Sequence, residues 1–114
     1  MLNNKLPAAT LDFSAAIVNL TQDLLANHET IISGQLVKSG TMIGAYIYEA
    51  QFAKNDEQYK DKLQAALDAT NLTGYWLELL YRTGFFTDAD FRDWAEDCDS
   101  IRGMIMSDMG FNEQ

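Results

Sequence analysis

Two stretches of the sequence, residues 36–52 and 74–84, restrict the fold most strongly. Each places large apolar side chains at helical spacing around small residues, and each carries one carboxylate among them. A glycine inside a helix costs about 1 kcal/mol relative to alanine, so glycines in such positions require a compensating gain. Close contact between helices supplies one, because a residue without a side chain lets a second helix approach. The two stretches therefore predict tightly packed helices.

The rest of the chain continues this helical pattern. It shows little alternation of apolar and polar residues, Pro7 is its one proline, and turn-forming residues cluster between long periodic stretches. Short connections between long helices favour antiparallel neighbours. We therefore predict an all-α fold, an antiparallel up-down-up-down four-helix bundle, as a single domain over residues 1–114. The helices are expected over residues of about 10–27, 29–53, 56–83 and 88–109, after a loose N-terminal arm at residues 1–9.

The ends of the third and fourth helices are marked by capping residues. Asn55 is followed three positions later by Gln58, which is the pattern of a capping box. Gly84 suits the left-handed conformation that often ends a helix. Thr87 and Asp90 form a second candidate N-terminal cap. These signals predict the boundaries of both helices.

The second helix carries two glycines in its middle. Gly40 and Gly44 are four residues apart, so they share one face and would let a neighbouring backbone come close. A break of the helix near Ser39–Gly40 is the alternative. The second half of the third helix is apolar almost all round, so it should be central in the monomer or buried against another subunit.

Glu49 and Glu78 lie beside large apolar residues, where an unpaired carboxylate would be costly. Glu78 can pair with Arg82 one turn later. We expect a buried or interfacial hydrogen-bond network that fixes helix register, with ordinary exposure or a proton-transfer role as alternatives. Candidate donors to either carboxylate are the hydroxyls of Tyr46, Tyr48, Tyr75 and Tyr81.

A metal or catalytic site is not indicated. A dinuclear metal centre in a bundle needs Glu-x-x-His motifs, which the sequence lacks, and the one histidine, His28, lies near a helix end. Phosphate-binding loops, nucleophile elbows and zinc-ligand spacings are also missing. The sequence therefore predicts a protein that is not an enzyme, with no cofactor and no metal.

Composition restricts partners and location. The net charge is −9, and residues 85–114 hold eight acids against Arg92 and Arg102, which disfavours nucleic-acid binding. Cys98 is the one cysteine and falls on an apolar helical face, so we expect a buried, inert thiol in a reducing compartment. No run of 18 apolar residues and no secretory signal is present. A cytoplasmic protein without a membrane span is the expectation.

The order of these signals resembles the 23S rRNA intervening-sequence proteins, also described as ribosomal-protein-like. The similarity covers about residues 12–108 and is strongest in K-S-G-T-M-I-G-A at residues 38–45, closing in E-A, and in Y-W-L-E-L-L-Y-R-T-G at residues 75–84. The family includes the accessory variability determinant of diversity-generating retroelements, a partner of reverse transcriptase. Two departures from the pattern are Tyr46, where asparagine is common, and the strongly acidic charge.

The resemblance implies an antiparallel bundle that assembles as a ring-like homopentamer, with no catalytic residues to transfer. It favours a non-enzymatic oligomeric scaffold or interaction protein, which could also bind protein partners. The alternative is a nucleic-acid-associated accessory protein acting with RNA or a reverse transcriptase, which would need the few basic residues to converge on one face. The candidate packing or assembly residues all lie in or near the two opening stretches: Ser39, Gly40, Gly44, Glu49, Tyr75, Trp76, Glu78 and Arg82.

Overall fold

The protein folds into four α-helices joined by short connections. The computed structural model describes residues 5–111, in which α1 spans Leu6–Ala26, α2 Ser33–Ala50, α3 Asp56–Arg82 and α4 Asp88–Asp108. Successive helices pack side by side in antiparallel order. The predicted all-α four-helix bundle is confirmed.

The four helices do not contact one another equally. α2 packs extensively against both α1 and α3, whereas α4 packs mainly on α3 and touches α1 only lightly. The molecule measures 44 × 29 × 19 Å, and 19 Å is close to two layers of helices about 10 Å across. All four helices contribute to one core, whose largest fully buried apolar side chains are Leu6, Ile17, Leu36, Ile43, Ile47, Leu63, Leu77, Leu80 and Ile105.

The predicted ends of α3 and α4 are confirmed. The Asn55 side chain accepts a hydrogen bond from the Gln58 amide at 2.8 Å, although the Gln58 side chain accepts from Lys54 rather than from Asn55. Thr87 and Asp90 form a reciprocal capping box. Gly84 follows α3 in the left-handed region, with φ of 88°. These caps are local, so the sequence was sufficient to locate them.

The loose arm expected at residues 1–9 is wrong for residues 6–9, while residues 1–4 lie outside the described part of the chain. α1 begins at Leu6, with Pro7 in its first turn, where the missing amide proton of proline costs nothing. Leu6 is fully buried and Thr10 nearly so. Burial of this first turn against the bundle outweighs the absence of a side-chain cap.

The second helix is shorter than predicted and unbroken. α2 begins at Ser33 instead of Glu29, ends at Ala50 instead of Ala53, and runs without interruption through Ser39–Gly40. Glu29 lies before the helix and is buried, and its carboxylate accepts hydrogen bonds from the amides of Ile31, Ile32 and Ser33, the last two at 2.8 and 2.6 Å. A carboxylate at this end also suits the helix dipole.

Candidate functional site

Gly40 and Gly44 lie where α2 meets α1. A Cβ atom built on Gly40 would come within 2.8 Å of Ile17 Cγ2, and one on Gly44 within 2.8 Å of Ser14 Oγ and 3.2 Å of the Thr10 carbonyl oxygen. Real Cβ atoms do not approach as closely as 2.8 Å. The missing side chains therefore let the two helices touch inside one protomer, and Ser14 Oγ donates to the Gly40 carbonyl at 3.4 Å.

Ser39 faces the other neighbour of α2. Its buried hydroxyl accepts a hydrogen bond from Thr73 Oγ1 of α3 at 2.9 Å and can donate to the Leu36 carbonyl at 3.3 Å. Thr73 is fully buried. Sequence reasoning missed Thr73, and the signal that could have revealed it is the set of small and hydroxyl residues Ala69, Thr70, Thr73 and Gly74 at helical spacing.

Glu49 is exposed in the monomer, so the expected network is not buried there, and its interfacial form stays a prediction. Its carboxylate forms an ion pair with Lys62 of α3 at 3.0 Å, and just over half of its side chain remains accessible. Lys62 also lies 5.9 Å from the centre of the Tyr46 ring. The pair connects the C-terminal end of α2 to the first half of α3 across the surface.

Glu78 is likewise exposed and pairs with Arg82 of the same helix at 3.0 Å, which confirms that part of the expectation. The tyrosine that donates to a carboxylate is Tyr81, and its acceptor is Asp88 of α4. That hydrogen bond raises the pKa of the Tyr81 hydroxyl. The Tyr81 ring also stacks on Phe91, with centroids 4.5 Å apart.

Tyr75 and Trp76 are adjacent on α3 but differ in burial. Tyr75 is 58% exposed, and its ring meets the Trp76 ring edge to face at 4.9 Å. Trp76 packs against the core, and its indole N–H finds no acceptor among the described residues. The eight candidate residues thus fall on several faces of the bundle and do not form one cluster.

Two surface grooves flank these residues. A groove of about 560 Å³ between α1 and α2 is lined by apolar side chains, Leu11 and Tyr48 among them, and by Gly44 and Glu49. A second, of about 340 Å³ between α3 and α4, includes Tyr75 and Glu78. Both are open clefts in the bundle surface.

Cys98 is buried, as predicted. Its sulfur donates to the Thr70 carbonyl oxygen at 3.5 Å, and burial raises the pKa of the thiol to about 11. A thiol in this setting stays protonated at neutral pH and is a poor nucleophile.

Within residues 5–111, no group of three or more histidine, cysteine or acidic side chains is arranged to hold a metal ion. No helix in the same range is both long and apolar enough to cross a membrane.

Comparison with known proteins identifies the family. The model of the 23S rRNA-intervening sequence protein matches residues 4–107. A crystal structure of a protein of unknown function from the S23 ribosomal protein family, from Bacteroides thetaiotaomicron, is similar with a TM-score of 0.92 and 36% sequence identity, over 95% of this chain and 97% of that chain. No match is found among curated proteins. The chain belongs to the 23S rRNA-intervening sequence protein family.

Proposed function

We propose that this protein is a non-enzymatic scaffold that assembles with copies of itself and presents a composite surface to protein partners. The observation that carries the proposal is the exposure of large apolar side chains on two different faces of the bundle. Monomeric proteins rarely leave contiguous apolar patches uncovered, and such patches commonly mark interaction sites.

The first face lies along α1 and the C-terminal half of α2. Leu11 is 69% exposed, Tyr48 65% and Phe52 68%, and the Tyr48 and Phe52 rings contact each other with centroids 5.4 Å apart. Leu11 and Tyr48 both line the α1–α2 groove. This face offers an apolar cleft with an aromatic border.

The second face lies on the outer side of α3. Leu72 and Tyr75 are about half exposed there, on a helix that α2 separates from α1. Two unlike faces favour a head-to-tail contact between copies, and such contacts close into a ring when the rotation permits. A homopentamer, implied by the family resemblance, is the assembly that we propose.

The absence of enzymatic activity is part of the proposal. Glu49 and Glu78, the carboxylates considered for proton transfer, are solvent-exposed in ion pairs. Catalytic carboxylates are typically desolvated in a cleft, whereas more than half of each of these side chains is exposed. We also propose a cytoplasmic location, which the free buried thiol of Cys98 supports.

A nucleic-acid-associated role, alone or beside a reverse transcriptase, is the second candidate. It would require Lys38, Lys54, Lys60, Lys62 and Arg82 to act together on phosphates. Two of these five, Lys62 and Arg82, are engaged by carboxylates, and the chain carries a net charge of −9. Both observations weigh against this role.

Light scattering coupled to size exclusion tests the assembly. The chain mass is 12.8 kDa, so a pentamer should measure about 64 kDa, five times that value. The double variant L11E/Y48E should shift the protein to monomer because it places charge in the α1–α2 groove. The control is I31E, which changes an 84% exposed residue elsewhere and should leave the mass unchanged.

Absorbance at 260 and 280 nm on the same sample tests the second candidate. A protein free of nucleic acid and of about 64 kDa supports the proposal. A nucleic-acid-free monomer overturns both candidates, and copurifying RNA would favour the accessory role.

A further inference from the structure

A third groove, between α1 and α4, has no role in the assembly proposed above. It encloses about 790 Å³ and exists because α1 and α4 are the least tightly packed neighbours in the bundle. Trp94 lines the groove, and its ring meets that of Phe13 edge to face at 6.0 Å. The lining extends toward the end of the bundle where α1 finishes and α4 begins.

The interior of the groove is apolar and its border is polar. Leu20, Leu24, Phe86 and Trp94 form its floor, and all four pack against the core. Phe85, at the mouth, is 40% exposed. The border carries the carboxylates of Asp23 and Asp90, one from each helix, and the side chains of Asn19 and Asn27.

The two charged side chains that line the groove, Asp23 and Asp90, are both acidic. α1 has no lysine or arginine between Leu6 and Ala26. Outside the lining, the exposed acids Asp93, Glu96 and Asp97 outnumber Arg92 in the first half of α4, and the ion pairs of residues 5–111 do not include these acids. A low-dielectric cleft bordered by one sign of charge concentrates the field and attracts the opposite charge.

We propose that the α1–α4 groove docks a basic amphipathic helix of a partner protein. The partner's apolar stripe would lie on Leu20, Leu24 and Trp94, and its lysines or arginines would reach Asp23 and Asp90. The α1 residues that line the groove extend from Ala16 to Asn27, which corresponds to about 16 Å or three helical turns. A helix laid in a groove uses anchors at this spacing.

Charge complementarity also selects against other occupants. RNA would bring phosphates to an acidic border and would be repelled, whereas the lysines or arginines of a basic helix would be attracted to Asp23 and Asp90. All the residues that line the groove belong to one protomer, so the site does not need a second copy to be complete.

The probe is a fluorescein-labelled peptide of leucine and lysine, ~14 residues long and patterned as an amphipathic helix. Fluorescence anisotropy in about 0.15 M salt measures its affinity. We expect the wild-type protein to bind this peptide. It should not bind a peptide in which glutamate replaces each lysine. D23N/D90N should weaken binding at least about fivefold, since two charge contacts are lost; asparagine at position 90 keeps an oxygen for the Thr87 amide.

The matched control is E57Q/D61N, which removes two exposed acids from the first turns of α3, at the opposite end of the bundle. It should leave the affinity within about twofold, and F85A should weaken it while circular dichroism stays that of the wild type.

Three outcomes would overturn the proposal. If D23N/D90N and E57Q/D61N weakened peptide binding equally, the peptide would be attracted by the net charge of the protein alone. Equal binding of the glutamate peptide would mean apolar adhesion without charge selection. Displacement of the lysine peptide by a single-stranded RNA of similar length, itself bound more tightly, would assign the groove to nucleic acid.

Discussion

Gly40 of α2 lies directly against Ile17 of α1, so closely that a Cβ atom at position 40 would fall 2.8 Å from Ile17 Cγ2. Ile17 is fully buried and branched at its β-carbon, so it has little freedom to move away. The absence of a side chain at position 40 therefore sets the distance between α1 and α2.

Replacement of Gly40 by alanine should destabilise the protein. Overpacking against Ile17 costs about 1–3 kcal/mol, while the gain in helix propensity returns about 1 kcal/mol. Gly34 is the matched control, because a Cβ there meets nothing within 4 Å, and G34A should be neutral or stabilising. Urea unfolding of both variants measures the difference, and a G40A protein as stable as G34A would contradict the expected clash.

Loss of the Glu29 carboxylate should destabilise the N-terminal end of α2. It accepts hydrogen bonds from three backbone amides while buried, so E29A should lower the free energy of unfolding by about 2–3 kcal/mol. The next residue, Thr30, is exposed and serves as the control, and T30A should change stability by less than about 0.5 kcal/mol. Chemical denaturation followed by circular dichroism distinguishes them; similar effects would mean that the cap contributes little.

Alkaline pH should destabilise the wild-type protein through Cys98. Burial raises the pKa of its thiol from 9.0 to about 11, so the unfolded state ionises first and stability falls as pH rises from 9 to 11. The loss is of the order of 2 kcal/mol. The raised pKa values of Tyr59 and Tyr81 act in the same direction at higher pH.

The C98A variant isolates that contribution. Its stability between pH 9 and 11 should fall less steeply than that of the wild type, because the tyrosines remain and the thiol does not. Parallel curves would exclude the thiol as the cause.

The Glu49–Lys62 ion pair should contribute little to stability in the isolated bundle. Both side chains are a third or more exposed, and such pairs are typically worth 0.2 to about 1 kcal/mol. A double-mutant cycle with E49Q and K62M measures the coupling, which should vanish near 1 M salt. A coupling above about 2 kcal/mol that persists in salt would instead indicate that the pair is buried, as it would be inside an assembly.

The sequence was most informative where structure is set locally. The caps at Asn55, Thr87 and Gly84 each depend on side chains within a few residues, so the boundaries of α3 and α4 were predictable. α1 begins earlier than predicted because Leu6 packs into a core that other helices complete. Glu29 caps α2 from outside it, through burial that no spacing pattern reveals.

The candidate site was less predictable than the fold. Glu49 and Glu78 are flanked by apolar residues along the chain, yet helical geometry turns them to solvent. Neighbours in sequence point in different directions on a helix, so an apolar neighbourhood along the chain does not imply burial. Thr73 escaped notice because its partner, Ser39, lies on another helix.

The unequal packing of the helices has a mechanical consequence. α2 and α3 each have two well-packed neighbours, whereas α4 contributes few fully buried side chains. The α1–α2 and α3–α4 hairpins are therefore joined mainly by the contact between α2 and α3. We therefore expect α4 to open more readily than α2, and its amide protons to exchange before those of α2. The weak packing between α1 and α4 would also let the α1–α4 groove widen around a bound helix while the contact between α2 and α3 stays intact.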